Sequence, residues 1–256
     1  MQDDVIEVSV EAGIGRITFN RPGVMNAIDV ASAEGFRDAM RAFSARDDLR
    51  VIVLAGAGRA FIAGGDLAGF WASDDRPGFA RAVIGPMHEG LALLAAHPAI
   101  SVSVVQGAAA GGGMSVALAA DLCLAGEGAS FSTAYAQVAA PGDCGMSWEL
   151  PRMVGPRKAL ELMLLSPRLS AAEAAALGLV NRVVPAEALA EEAERLIARL
   201  ARGPARAQAH IKDLIRRPRA DYAAQLDAEQ AAFADCAGQQ EFDRALAAFF
   251  DKGKES

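Results

Sequence analysis

Two glycine turns hold most of the chemistry that the residue types of this chain can support. The first is Gly64-Gly65, at the end of Arg59-Ala60-Phe61-Ile62-Ala63-Gly64-Gly65-Asp66-Leu67. The second is Gly111-Gly112-Gly113, which follows the apolar run Ile100 to Val105 and opens the small-residue stretch Met114-Ser115-Val116-Ala117-Leu118-Ala119-Ala120-Asp121. Glycine has no Cβ, so a ligand can come down onto the backbone, and positive φ is allowed. The first N–H groups of a helix have no partner within it, and the macrodipole places positive potential behind them. Such an end can hold a phosphate. Two of these ends converging on one oxygen form an oxyanion hole, which stabilises charge that develops during a reaction. Either turn taken alone reads equally well as an ordinary strand-to-helix connection, because single short motifs match by chance.

The elements that must position these turns are short strands alternating with helices. Val5 to Val10 and Gly15 to Phe19 read as a hairpin about Glu11-Ala12-Gly13. Ala31 to Phe43 places Phe36, Ala39, Met40 and Phe43 on one helical face. The continuous apolar run Val51 to Ala55, ended by glycine, predicts a strand covered on both faces. A helix over Met87 to Ala96 precedes the Ile100 to Val105 strand; Leu122 to Ala125 and Ala129 to Phe131 are further strands. Ser170-Ala171-Ala172-Glu173 is a capping box, Gly178 closes that short helix, and Val180 to Val184 is a last strand. From Glu187 onward the chain reads as helix, broken at Gly203-Pro204 and Pro218. The alternation predicts an α/β fold with parallel pairing, carrying a helical tail.

Composition excludes several classes. The 256 residues are 52% hydrophobic but only 6% aromatic, so the core must be aliphatic. A charged share of 22% argues against disorder. The net charge of −7 and a pI near 5.1 argue against nucleic acid, which selects a basic face. No apolar run reaches the ~18–20 residues that span a bilayer, and the acidic start Met1-Gln2-Asp3-Asp4 does not resemble a signal peptide. Cys123, Cys144 and Cys236 are odd in number and scattered, and neither they nor His88, His97 and His210 have metal-ligand spacing. A reduced, cytoplasmic enzyme without a metal site is the expectation. Gly56-Ala57-Gly58 lacks the third glycine of a dinucleotide fingerprint and reads as a strand-end turn.

Phe19-Asn20-Arg21-Pro22, Met25-Asn26-Ala27-Ile28, Ala60-Phe61 through Asp66-Leu67, Gln106-Gly107 through Gly113, and Ala175 to Pro185 stand in a specific order and spacing. Through them the chain resembles the crotonase (enoyl-CoA hydratase/isomerase) superfamily over nearly its whole length. The resemblance implies a spiral of ββα units over residues 1–195 and a C-terminal helical trimerisation region over residues 196–256. It also implies acyl-CoA thioester substrates, no cofactor beyond the CoA that the substrate carries, and a homotrimer or dimer of trimers. The two oxyanion donors fall on the N–H groups of Gly65 and Gly112. The substrate site implied in this way comprises Met25, Ala27, Ala63, Gly65, Asp66, Leu67, Gly111, Gly112, Ser115 and Tyr135, with Lys252 near the CoA phosphates. Asp66 also reads as a helix cap and Lys252 as a solvated cation at a helix end.

The chain departs from the family's hydratases at both of their glutamates, which are here Ser115 and Tyr135. Neither a serine hydroxyl nor a phenol is a good general base near neutral pH. One carboxylate remains in a suitable loop, Asp143 of Pro141-Gly142-Asp143-Cys144-Gly145, at a position where family isomerases and dehalogenases place an acid. Its alternative role is to cap the helix beginning near Met146. Glu149 reads as solvated or paired, with a pocket-facing orientation also open, and Tyr135 and Trp148 as pocket lining or core. His88 is assigned no role. The expected activity is double-bond isomerisation by a proton shuttle at Asp143, with 2-enoyl-CoA hydration or a non-catalytic acyl-CoA-binding role as alternatives.

Overall fold

The computed structural model describes residues 4–252, with side chains as far as residue 247. Two strands, β1 (Ile6–Glu11) and β2 (Ile14–Phe19), form the expected antiparallel hairpin, with Ile6 opposite Phe19. Parallel strands then extend the sheet: β3 (Val51–Gly56), β4 (Ile100–Val105), β6 (Leu122–Gly126) and β9 (Arg182–Val184), in the order β1-β2-β3-β4-β6-β9. A second sheet joins β5 (Ala108–Ala110), β7 (Ser130–Ser132) and β8 (Leu169–Ser170). Residues Ala108–Ala110 carried no strand signal in the sequence, since alanine is a weak strand former; their pairing with β7 decides their conformation.

Side-chain alternation along β3 explains why its whole run is apolar. Ile52 and Leu54 point into the main core with Phe19, Phe36, Phe61 and Phe131. Val51 and Val53 point the other way, onto Leu189, Ala193 and Ile197 of helix α8 (Leu189–Ala201). The main core is closed by α1 (Val30–Ser44) and α3 (Arg76–Ala96), with α2 (Leu67–Ala72) between them in sequence. Helix α3 begins at Arg76, well before the expected Met87. Asp75 caps it by accepting from the Gly78 N–H at 2.8 Å, and Pro77 falls in the first turn, where its missing N–H costs nothing. Pro86 lies inside α3, and packing of that helix on α1 overrides the break it would otherwise signal.

Helix α4 (Gly112–Ala119) is buried at every position, which its small side chains permit. After it come α5 (Met146–Val154), α6 (Pro156–Leu165), α7 (Ala171–Ala176), α8, α9 (Ala205–Arg216), α10 (Tyr222–Ala237) and α11 (Gln240–Lys252). The capping box at Ser170 and Glu173 is present in both directions. No described helix is long and apolar enough to cross a membrane.

Candidate active site

The loop between β2 and α1 is fastened to the first glycine turn by Asn26. This buried residue adopts φ +59°, which Asn tolerates, and its amide reaches the carbonyls of Ala57, Ala60 and Phe61, each at 2.9 Å. Residues 25–28 then run beside residues 63–66. The Ala63 N–H donates to the Met25 carbonyl (3.0 Å), Ile28 to Gly64 (2.8 Å) and Asp66 to Ile28 (2.9 Å). This short ladder passes over Gly65, whose N–H has no acceptor among the described residues.

The second turn is laid beside the first by main-chain pairing. Ile62 donates to Ala108 (3.1 Å) and Ala110 donates back to Ile62 (3.0 Å), while the Gly111 N–H is taken by Ser132 (2.9 Å). Gly112 opens α4, and its N–H is likewise without an acceptor among the described residues.

The five glycines of these turns fall into two groups. Gly64 and Gly111 have φ of +109° and +50°, and a Cβ on Gly113 would lie 1.9 Å from the Ile62 carbonyl oxygen. Those three must be glycine for the chain to fold this way. At Gly65 the nearest atom to an added Cβ would be 3.7 Å away, on Phe70, and at Gly112 3.6 Å away, on Asp143 Oδ1 and Ile28. Neither needs positive φ, so folding makes no demand for glycine at Gly65 or Gly112.

Asp143 stands beside Gly112 and is held by side chains. Its Oδ1 accepts from the Tyr135 hydroxyl at 2.6 Å. Because that proton is committed to the carboxylate, Ser115 Oγ donates to the phenol oxygen, 2.8 Å away. Burial, then the neighbouring Asp143 charge, pushes the Tyr135 hydroxyl far above its ordinary value, so it is a fixed donor and not a base. Tyr135 and Ser115, expected on the substrate, are thus spent on the acid. The capping role considered for Asp143 is overturned. Gly145, at φ +82°, precedes α5 without a side-chain cap, and Met146 donates to the Asp143 carbonyl rather than its carboxylate. Asp143 Oδ2 has no partner among the described residues, and the residue lines a cavity of about 440 Å³.

Other expected residues are distributed around this centre. Asp66 caps α2 through the Gly69 N–H (3.2 Å) and receives Arg21 at 3.1 Å. The same guanidinium donates to the Ala27 carbonyl at 2.6 Å, which braces the segment beside Gly65. Met25 and Leu67 are exposed. Gly111 supplies the turn itself. Lys252 ends α11, and its side chain lies outside the described ones.

Three groups without an assigned role also face the cavity. His88 Nε2 accepts from the Cys144 N–H at 3.1 Å, which fixes the loop that carries Asp143. Glu149 is paired with Arg216 at 2.8 Å, and burial pushes its carboxyl above the usual range against the pull of that guanidinium. Arg216 also donates to the carbonyl of Ala119, the last residue of α4, at 3.1 Å. No sequence signal marks Arg216, because an arginine on an amphipathic helix ordinarily reads as a solvated charge.

Two free backbone donors in adjacent glycine turns, an acid beside them and the two-sheet architecture with trailing helices define a crotonase-type fold. The solved structure of an enoyl-CoA hydratase from Polaromonas superimposes with a TM-score of 0.89 at 30% identity, covering 96% of this chain and 97% of that one. The family model described as enoyl-CoA hydratase/isomerase matches residues 9–256. Among curated relatives, the "probable enoyl-CoA hydratase" of Rhodobacter capsulatus is 36% identical over 83% of this chain and 81% of its own length. The 1,2-epoxyphenylacetyl-CoA isomerase of Escherichia coli is 33% identical over 80% and 79%. The chain belongs to the enoyl-CoA hydratase/isomerase family and is an acyl-CoA enzyme of that family.

Proposed function

We propose that this enzyme moves the double bond of an enoyl-CoA, with Gly65 and Gly112 as oxyanion donors and Asp143 as the proton carrier. The observation that carries the donor assignment is the open backbone at these two glycines. Each has an N–H without an acceptor among the described residues, at a position where an added Cβ would meet no atom closer than 3.6 Å. A thioester oxygen seated between them would gain negative charge when a proton leaves the adjacent carbon, and each donor would stabilise that charge. Asp143 Oδ2 would take the proton from C2 of a 3-enoyl-CoA and return it to C4, leaving the 2-enoyl product. Tyr135 would hold Oδ1 throughout, so that a single oxygen travels between the two carbons. Water addition is the weaker reading, because Ser115 and Tyr135 stand where hydratases of the family hold glutamates and their hydroxyls are already engaged.

Exposed Leu160, Leu164 and Leu165 on α6, with Ile211 and Ile215 on α9, support a trimer or dimer of trimers, testable by light scattering. Lys252 is proposed to meet the CoA phosphates.

The chemical test is incubation of a 3-enoyl-CoA in deuterated water. Deuterium should enter beside the thioester and the double bond should move. Asp143→Asn, which preserves size, should lower exchange by at least ~10²-fold, the usual scale for a general base. Full exchange in that variant, or hydration of crotonyl-CoA by the native enzyme at an ordinary enzymatic rate, would overturn the shuttle. No turnover of any CoA thioester would instead favour a binding role.

A further inference from the structure

The cavity beside Asp143 has a polar wall that the proton shuttle leaves unused. Its apolar lining includes Leu91 and Ala95 of α3 and Ala119 of α4. Glu149 and Arg216 also line it, with side chains only 18% and 19% exposed. Arg216 spends Nη2 on Glu149 Oε1 and on the Ala119 carbonyl, and its Nε stands 3.6 Å from Asp121 Oδ1. Glu149 Oε2 has no hydrogen-bond partner among the described residues. The cavity lining thus presents two carboxylates, Asp143 and Glu149, against one guanidinium that two acids already share.

Each kind of acyl terminus would meet this wall differently. A plain alkyl end would strip water from Glu149 Oε2 and give no hydrogen bond in return, which is costly for a charged acceptor. A terminal carboxylate would approach two like charges. A neutral donor such as a hydroxyl would satisfy Oε2 without adding charge. We propose that Glu149, held in place by Arg216, is a specificity-determining residue that receives a neutral hydrogen-bond donor at the distal end of the acyl group. The preferred substrates are then acyl-CoA thioesters bearing a hydroxyl or similar donor away from the thioester. This inference rests on the acyl-CoA reading of the cavity but not on the shuttle at Asp143.

Calorimetric binding of saturated thioesters separates the two, because a saturated chain has no double bond to move. Butanoyl-, hexanoyl- and octanoyl-CoA would be compared with their ω-hydroxy and ω-carboxy counterparts on the full-length native enzyme. At the length that reaches Glu149, the hydroxy ligand should bind at least about tenfold more tightly than the alkyl one, the scale of a hydrogen bond to a charged group. The ω-carboxy ligand should bind most weakly. Glu149→Gln retains an acceptor and should keep part of the preference, whereas Glu149→Leu should reduce it to within about twofold. Equal or tighter alkyl binding at all three lengths would overturn the proposal. So would a preference that survives Glu149→Leu in a protein with native circular dichroism. Absence of binding by every thioester would overturn the acyl-CoA reading of the cavity and this proposal with it, whatever Asp143 does.

Discussion

The donor half and the acid half of the proposed site are made of different material. The donors proposed at Gly65 and Gly112 are backbone N–H groups, placed by main-chain pairing between residues 25–28, 61–66 and 108–111. At Asp143 the working group is a side chain, placed by other side chains through Tyr135 and Ser115. Any substitution short of proline leaves a backbone donor in place and can only obstruct the approach to it. The acid half can be rewritten residue by residue, and in this chain it departs from the hydratase pattern at Ser115 and Tyr135 while both donors stand free. On the proposed reading, one scaffold presents the same donors to a thioester and a different proton carrier beside them.

Obstructing a donor should have the largest effect. Gly112→Val has room for its Cβ 3.6 Å from Asp143 Oδ1, and its methyl groups would occupy the space in front of the N–H. The variant is expected to fold and to lose ~10²–10³ in kcat, the scale of one lost oxyanion donor. Near-normal kcat would break the comparison by removing the donor half.

Tyr135→Phe tests the acid half without changing its shape. It removes a hydrogen bond to a charged group, a contribution of about 1.5–3 kcal/mol. We expect kcat to fall about tenfold or more with KM little changed, measured by steady-state kinetics. An unchanged kcat would mean that Asp143 keeps its position without the phenol.

The glycine contrast makes a stability prediction. Gly64→Ala places a Cβ at φ +109° and 3.2 Å from the Ala110 carbonyl oxygen, and should destabilise the fold by more than about 1 kcal/mol in urea denaturation. Gly65→Ala, one residue on, should lie within about 0.5 kcal/mol of the native protein. Equal losses at both sites would erase the distinction. The smallest effect is expected for Ser115→Ala, which loses a neutral hydrogen bond of about 0.5–1.5 kcal/mol to the Tyr135 oxygen. It should cost kcat only a few-fold; a loss as large as that of Tyr135→Phe would make serine an equal partner.

Local pattern was enough for much of the framework. The apolar run at Val51 predicted β3, the Ser170 and Glu173 pair predicted the start of α7, and the glycine triplet predicted α4 behind a free N–H. These features depend on residues a few positions apart, where a period of two or 3.6, or the chemistry of one cap, leaves a mark in the sequence. Other features were decided only when distant segments packed. Pro86 continues a helix because α1 lies against it, and Ala108–Ala110 become a strand because β7 pairs with them. Asp143 sits in an irregular loop, where periodicity carries no information; the sequence reading placed it at a substrate and left capping of α5 as the alternative. The Tyr135 hydroxyl turned it from the cap. Glu149 and Arg216 meet across helices far apart in the chain, which placed a pair of apparently solvated charges inside the cavity. Hydrogen bonds and ion pairs between remote side chains depend on where whole elements dock, and that follows from the summed burial of apolar faces rather than from any neighbouring residue.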